Sequence, residues 1–367
     1  MSTAPNAPLK VLHQQGRQAS SAGNLPQALA LLQQAALKTS ARESDYLPVL
    51  KDLRGVMVRM GQHRSALTLD WYQADPQAEA ALLDDVPAVD RARTLQAWAE
   101  RDGAGRRAAD HYAQAASVYE QAELVAQAAI CHERCQDFTT ARRLWSRLAE
   151  TLSRSGTDHY AAGLARFNLS RTCRELGDPS AAHTAVVSAV HMLEEAADRY
   201  ERIGQRERAF DCYQVLIAIG KQSGQFEHEL EGYVNVVRIL REDNLRYYAL
   251  QSYEDALESA KTRREFSAGA TLAQEMAAYA TAESLTSVAN HAATLQAAMW
   301  QQVAQAAIQR GGAAEMAENA MLAAIVAFAR LGQFQNVGGL YTSLSSLDLE
   351  QARKDHYARA ARRYQQE

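Results

Sequence analysis

The chain has 367 residues, of which 47% are apolar, and its 39 basic and 43 acidic side chains give a formal net charge of −4. This near balance excludes the broad positive field that attracts nucleic acid or anionic lipid, so neither is expected as a partner. Only seven Pro and 7% aromatic residues interrupt the long Ala-rich stretches. Ala-rich interiors suit closely spaced helices and suit strands poorly, which predicts an all-α protein.

The length exceeds what one hydrophobic core normally supports, which predicts either two domains or a stack of small repeated units. The longest apolar run, 320–329, is about half the length that spans a bilayer, so no membrane insertion is expected. Residues 1–7 are small or polar and lack the features of a signal peptide, which predicts a disordered N-terminus. Four Cys are too few for a disulfide framework, so we expect a cytoplasmic location.

Apolar residues recur with the helical period along almost the whole chain. In chain order, this period and the breaker residues predict helices over 8–22, 25–39, 43–60, 63–74, 89–101, 106–121, 124–134, 138–154, 158–176, 179–203, 206–221, 225–241, 244–262, 265–280, 283–309, 313–330, 334–346 and 349–366.

The stretch 75–88 is predicted to be an irregular joint, because the Pro residues near its ends disfavour helix at and just before their own positions. It would separate N-terminal hairpins over 8–74 from a main stack over 89–348. The final segment, 349–367, is interpreted as a helix that caps the apolar face of the last hairpin. A dimerisation helix is the alternative, and it would make the chain a homodimer.

A phrase of Gly, a polar residue, three variable residues and Ala marks several predicted turns. Full copies start at Gly23, Gly61, Gly177 and Gly204, and weaker copies start at Gly224 and Gly332. Gly allows the left-handed residue that ends one helix, and Ala lets the next helix pack closely against it. Gly23 and Gly61 are 38 residues apart, and Gly224 lies 40 residues before the matching Arg264. A helix-turn unit reused at this spacing predicts a solenoid of helical hairpins.

The helices over 158–176 and 179–194 resemble one tetratricopeptide repeat (TPR). The matching residues are Asn168, Leu169, Ser170, Cys173, Gly177, Asp178, Ala182 and Ala189. The resemblance is clearest at 8–74, 104–242 and 313–346. It implies a right-handed α-solenoid of antiparallel TPR-like hairpins, and the long repeats are similar to those of bacterial peptide-sensing TPR regulators.

In proteins of this family the first helix of each hairpin lines a concave groove, so the resemblance implies a peptide- or protein-binding adaptor or scaffold without enzymatic activity. A peptide-sensing regulator that changes conformation on binding is one alternative, and a dimerising structural protein is another. When the TPR pattern is aligned with residues 158–194, Asn168, Arg171 and Arg174 share the inner face of the first helix of that repeat. Asn can bind a peptide backbone, and the two Arg suit carboxylates.

A second set of expected partner-binding residues combines aromatic area with polar groups. Its members are Gln214, Lys221, Tyr247, Tyr248 and Gln251. Tyr offers a large contact area with a polar tip, which suits a recognition surface. Tyr253, on the same predicted helix, is expected to fill the core between helices instead.

Motifs for nucleotide binding, metalloprotease chemistry and acyl transfer are absent from the sequence, so no cofactor is expected. His228-Glu229 is followed by Leu230-Glu231, which excludes the zinc-protease helix. Cys131 and Cys135 are one helical turn apart and could reach one Zn²⁺ ion. We interpret them instead as small buried hydrophobic residues, and we expect no bound metal.

Overall fold

The computed structural model describes residues 8–38, 46–62, 65–66, 87–310 and 314–364, and within these ranges it contains helices and no strand. The helices are α1 Leu9–Ser21, α2 Leu25–Leu37, α3 Tyr46–Arg59, α4 Ala88–Asp102, α5 Arg106–Gln121, α6 Val125–Arg134, α7 Phe138–Ser155, α8 His159–Glu175, α9 Pro179–Arg202, α10 Arg206–Ser223, α11 Phe226–Glu242, α12 Arg246–Arg263, α13 Phe266–Ala282, α14 Thr286–Arg310, α15 Ala314–Arg330, α16 Phe334–Ser345 and α17 Gln351–Tyr364.

These helices confirm the predicted all-α fold of TPR-like hairpins, and their bounds lie within a few residues of the predicted ones. The predicted N-terminal segment 1–7 lies outside the described residues. The same is true of most of the predicted helix 63–74 and of nearly all of the joint 75–88.

Most of the described turns between helices repeat one backbone geometry, in which a single left-handed residue reverses the chain. Gly204, Asn244 and Ser284 have φ angles of 74°, 58° and 60°, and they follow one another at intervals of 40 residues. The amide after Gly204 donates to the carbonyl of Tyr200 at 2.8 Å, closing the six-residue loop of a Schellman motif. The turn sequence differs at each site, but the period of two helices per 40 residues is constant here.

Consecutive helices are antiparallel, and α10 and α11 approach closely because both carry Gly at the contact. A Cβ atom on Gly220 would lie 2.4 Å from the backbone nitrogen of Glu229. Further along, a Cβ atom on Gly232 would lie 2.8 Å from the carbonyl oxygen of Tyr213. Both distances are shorter than a non-bonded contact allows, so each position requires the absence of a side chain.

The described chain divides into two compact units. Unit 1 comprises the residues up to Gly156 together with Ala165–Ala185, and unit 2 comprises Thr157–Leu164 together with the residues from Val186 onward. Unit 1 contains a core of small Ala side chains around Trp98 and Trp145.

In unit 2, the C-terminal helix α17 covers the apolar side of α15 and α16. Tyr357 of α17 is buried, and its hydroxyl donates to Glu318 of α15, whose other carboxylate oxygen is 3.0 Å from Arg353. Burial and the Glu318 carboxylate raise the pKa of Tyr357 to about 12. Tyr341 of α16 stacks on Tyr357 and Tyr364. The helix is therefore fixed by both polar and aromatic contacts.

A buried ion pair holds α12 against α11. The side chain of Glu229 is fully buried, and its carboxylate is 3.0 Å from Nε of Arg263. Ser259 donates a hydrogen bond to the same carboxylate. Arg263 also donates to the carbonyl oxygens of Gly220 and Lys221, both at 3.3 Å, and so links α12 to α10.

Gly220→Ala should destabilise the protein by about 2 kcal/mol, because the added methyl group meets backbone atoms of α11 that cannot move independently. The measurement is urea denaturation followed by circular dichroism. Gly339→Ala is the matched control, since Gly339 lies within α16 with open space around its Cβ position. That control should gain about 0.5–1 kcal/mol from helix propensity. Equal effects of the two substitutions would contradict the close approach of α10 and α11.

Arg263→Ala should lower the free energy of unfolding by about 3 kcal/mol, because it leaves the Glu229 carboxylate buried without its counter-charge. The same denaturation experiment measures it. Adding Glu229→Gln to this variant should recover part of the loss, since a neutral amide costs less to bury than a carboxylate. If the two side chains do not interact, the effects of the two substitutions will simply add. The double variant would then be less stable than Arg263→Ala by as much as Glu229→Gln alone destabilises the parent chain.

Candidate functional site

Alternate helices lie side by side in unit 2. Arg238 of α11 forms an ion pair with Glu201 of α9, and α11 and α13 line a common cavity. On the other side, Arg263 of α12 reaches backbone carbonyls at the end of α10. Helices α9, α11 and α13 therefore form one layer, and α10 and α12 lie in the other.

One face of α11 points away from the layer behind it. We call it the α11 stripe: His228, Glu231, Val234, Arg238 and Arg241. The spacings of three and four residues place these side chains on the same face of a helix. All five are at least partly exposed, whereas Tyr233, Val236 and Leu240 on the opposite side are buried. The stripe is the part of α11 that is available to a ligand.

A cavity of about 480 Å³ lies between the C-terminal half of this stripe and α13. Its lining combines an apolar floor with a charged rim. The apolar and aromatic members are Val234, Val237, Tyr253, Leu272, Tyr279 and Ala282, and the charged members are Arg238, Arg241, Glu242, Glu275 and Glu283. A cavity of this size and composition is typical of a site that binds side chains or a small molecule.

Two of the charges around the cavity lack an opposite partner within the described residues. Arg241 lies over the ring of Tyr279 at 4.7 Å and donates to the hydroxyl of Tyr253 at 3.3 Å, but no carboxylate pairs with it. Burial raises the pKa of Tyr253, so this hydroxyl stays neutral at physiological pH. Glu275 forms no hydrogen bond or ion pair with a described residue. The rim thus offers one cation and one anion to a ligand.

The predicted residues Tyr247 and Tyr248 lie at the start of α12 and are strongly exposed, at 73% and 60%. Their rings meet edge to face with centroids 5.6 Å apart. Gln251, one turn further, is exposed and donates to Asp255 at 3.0 Å. None of these three side chains lines the cavity between α11 and α13.

The predicted residues Gln214 and Lys221 both lie on α10 and are exposed. The ammonium group of Lys221 donates to the hydroxyl of Tyr233 at 2.8 Å and lies 5.3 Å from the centre of its ring. Lys221 is therefore already engaged by α11. The structure brings neither residue to the α11 stripe.

The predicted trio on α8 lies in unit 1. The side-chain oxygen of Asn168 accepts a hydrogen bond from Arg171 at 3.2 Å, and Arg174 follows on the same helix and is partly buried. The guanidinium of Arg171 is also 3.7 Å from Glu133 of α6. A ligand carboxylate that binds Arg171 would thus share this guanidinium with the carboxylate of Glu133.

Glu133 is the residue at this position that sequence reasoning missed. One of its oxygens accepts from Nε1 of Trp145 at 2.7 Å and from Oγ1 of Thr172 at 2.8 Å. A cavity of about 280 Å³ adjoins it, lined by Glu133, Arg134, Phe138, Arg171, Thr172 and Glu175. Glu133 therefore connects three helices and forms one wall of this cavity.

The cysteine pair on α6 is a poor metal ligand set in its present environment. Cys131 is buried, and burial raises the pKa of its thiol to about 12. Cys135, at the end of the helix, donates to the carbonyl oxygen of His132 at 3.3 Å, and burial raises its pKa as well. Metal binding requires thiolates, so these raised pKa values oppose it.

Among the helices that the structure describes, none is both long and apolar enough to traverse a bilayer.

No family model matches the chain, and no curated protein does. It is similar in structure to aspartyl phosphate phosphatase F from Bacillus subtilis, at 12% identity and a TM-score of 0.38, over 100% of this chain and 96% of that one. It is also similar to a signal transduction ATPase with a tetratricopeptide repeat sensor from Pyrococcus horikoshii, at 13% identity and a TM-score of 0.36. That likeness covers 93% of this chain and 52% of the ATPase, so the chain spans about half its length.

A third similar structure is the TPR domain of P58(IPK), at 14% identity and a TM-score of 0.23, over 98% of this chain and 99% of that domain. Likenesses this distant carry no conclusion about ligand or activity. The chain's own fold is a series of TPR-like helical hairpins, in which the Schellman turns at Gly204, Asn244 and Ser284 recur every 40 residues.

Proposed function

We propose that this protein is a non-enzymatic adaptor that binds a peptide or protein segment in the groove between α11 and α13. The observation that carries the proposal is the cavity with a partly apolar lining and two unpaired charges, Arg241 and Glu275, on its rim. A guanidinium that rests on an aromatic ring and has no carboxylate partner still has donors to offer to a ligand.

The chemistry of the cavity favours a peptide over a small apolar ligand. Arg241 suits a carboxylate of the partner, because its guanidinium is held in place by Tyr279 and Tyr253 and can still donate outward. Glu275 suits a Lys or Arg side chain of the same segment. Val234, which is exposed and lines the cavity, adds apolar contact area.

Further contacts with a partner are proposed at the residues expected from the sequence. In unit 2, the exposed ring pair Tyr247 and Tyr248 offers contact area to a longer segment, with Gln251, Gln214 and Lys221 as polar neighbours along α10 and α12. In unit 1, Asn168, Arg171 and Arg174 are proposed as a separate contact beside the Glu133 cavity. The proposed contacts in unit 1 and in unit 2 are two separate binding surfaces.

Arg241→Ala should weaken peptide binding at least tenfold, because it removes the one cavity cation that lacks a carboxylate partner. The probe is a short peptide selected from a random phage-displayed library against the full chain, with affinity measured by fluorescence anisotropy. Arg330→Ala is the matched control, since Arg330 is exposed on α15 of the same unit and does not line the cavity. Selected peptides that bind Arg241→Ala and the parent chain equally would overturn the proposed groove.

The double variant Asn168→Ala with Arg171→Ala should retain the fold and lose the peptides that bind unit 1. Both side chains are at least partly exposed, so circular dichroism and the unfolding midpoint should change little. If every selected peptide still binds the double variant with the parental affinity, the trio on α8 is not a binding surface.

A further inference from the structure

Three potential metal ligands meet at the N-terminal end of the α11 stripe. Glu194 projects from α9, and His228 and Glu231 project from α11, one turn apart. One ligand atom from each lies within 4.8 Å of the other two. Glu194 and His228 are partly buried, and Glu231 is exposed.

The register between α9 and α11 makes this cluster unusual. Glu201 on α9 pairs with Arg238 on α11, and Glu194 and Glu231 each lie seven residues earlier on the same helices. The two levels are thus two helical turns apart. At the later level a carboxylate faces a guanidinium, whereas at the earlier level a carboxylate faces a carboxylate.

The two facing carboxylates lack the counter-charge that several other acidic residues of unit 2 possess. Glu201, Glu229 and Glu283 each pair with an Arg. The side chains of Glu194, His228 and Glu231 form no hydrogen bond or ion pair with any residue that the structure describes. Two ionised carboxylates at this distance repel each other. A divalent cation between them would remove this repulsion.

We propose that Glu194, His228 and Glu231 bind one divalent transition-metal ion of the Zn²⁺ class. Imidazole nitrogen together with carboxylate oxygen is a donor set for Zn²⁺ and its neighbours, whereas Mg²⁺ and Ca²⁺ prefer oxygen alone. Ligand atoms a few ångströms apart can each approach a central ion at about 2.0–2.2 Å after small rotamer changes. Three protein ligands leave a position open for water or for a group supplied by a partner.

The proposed site is independent of the peptide groove, although both use α11. The groove is lined from Val234 onward, and the three ligands precede it on the helix or lie on α9. A failure of either proposal therefore leaves the other intact, provided that each is tested with its own probe and its own variants.

The direct test is titration of the chelator-treated full chain with ZnCl₂ in competition with a chromophoric chelator. We expect one ion per chain with saturable binding. His228→Ala and Glu231→Gln should each weaken that binding at least tenfold, because each removes one of three ligands. The matched controls His291→Ala and Glu254→Gln change exposed residues of the same unit and should bind as the parent chain does.

A second readout separates metal binding from a change in folding. Zn²⁺ should raise the thermal midpoint of the parent chain and of both controls, and should raise that of His228→Ala less at the same Zn²⁺ concentration, since only the intact site lets the ion bridge α9 and α11 with all three ligands. Unaltered circular dichroism of the variants in the absence of metal establishes that they are folded. Absence of saturable binding, or equal affinity in the parent chain and in both ligand variants, would overturn the site.

Discussion

The close antiparallel packing of α10 against α11 is the constraint on which the candidate sites of unit 2 depend. Gly220 and Gly232 let the two backbones approach until the carbonyl oxygen of Tyr213 occupies the space of a side chain. Because α11 is held this closely on one side, its opposite face is turned toward α9 and α13. The α11 stripe is therefore a consequence of backbone packing, which turns its polar residues toward α9 and α13.

The 40-residue period then determines what the stripe meets. Alternate helices of one layer run in the same direction, so a residue on α9 faces a residue 37 positions later on α11. This offset joins Glu201 to Arg238 and brings Glu194 to Glu231. The same offset recurs in the turns, where Arg206 pairs with Asp243 at 2.9 Å and Arg246 with Glu283 at 2.6 Å. One repeat length thus explains a set of ion pairs and the like-charged cluster as well.

Much of the fold was accessible from the sequence because its determinants are local. Helical periodicity and the Gly-containing turn phrase predicted nearly every described helix, and Tyr253, expected in the core between helices, is buried. The left-handed turns at Asn244 and Ser284 carry no Gly. At these two turns the helical periodicity of the apolar residues was the better signal for the helix ends. Sequence reasoning predicted Arg171 as a partner-binding residue, but its acidic neighbour Glu133 lies two helices earlier and was missed.

The groups missed by sequence reasoning depend on contacts between distant segments. A zinc-protease pattern lies within one helix, whereas the third group of the cluster around His228, Glu194, comes from α9. Glu229 belongs to the same short motif but points to the other side, into the core toward Arg263. Adjacent residues of one helix therefore have opposite roles, which only the packing of α11 between its neighbours reveals.

The register between α9 and α11 is the central claim, and a charge-reversal double-mutant cycle measures it most directly. Reversing Glu201 and Arg238 separately and together should give a coupling energy of about 0.5–1 kcal/mol in urea denaturation at low salt, because the exchanged charges still attract each other. The mismatched pair Glu194 and Arg238, two turns out of register on α9, should give none. Coupling in the mismatched pair, or its absence between Glu201 and Arg238, would contradict this arrangement of the layer.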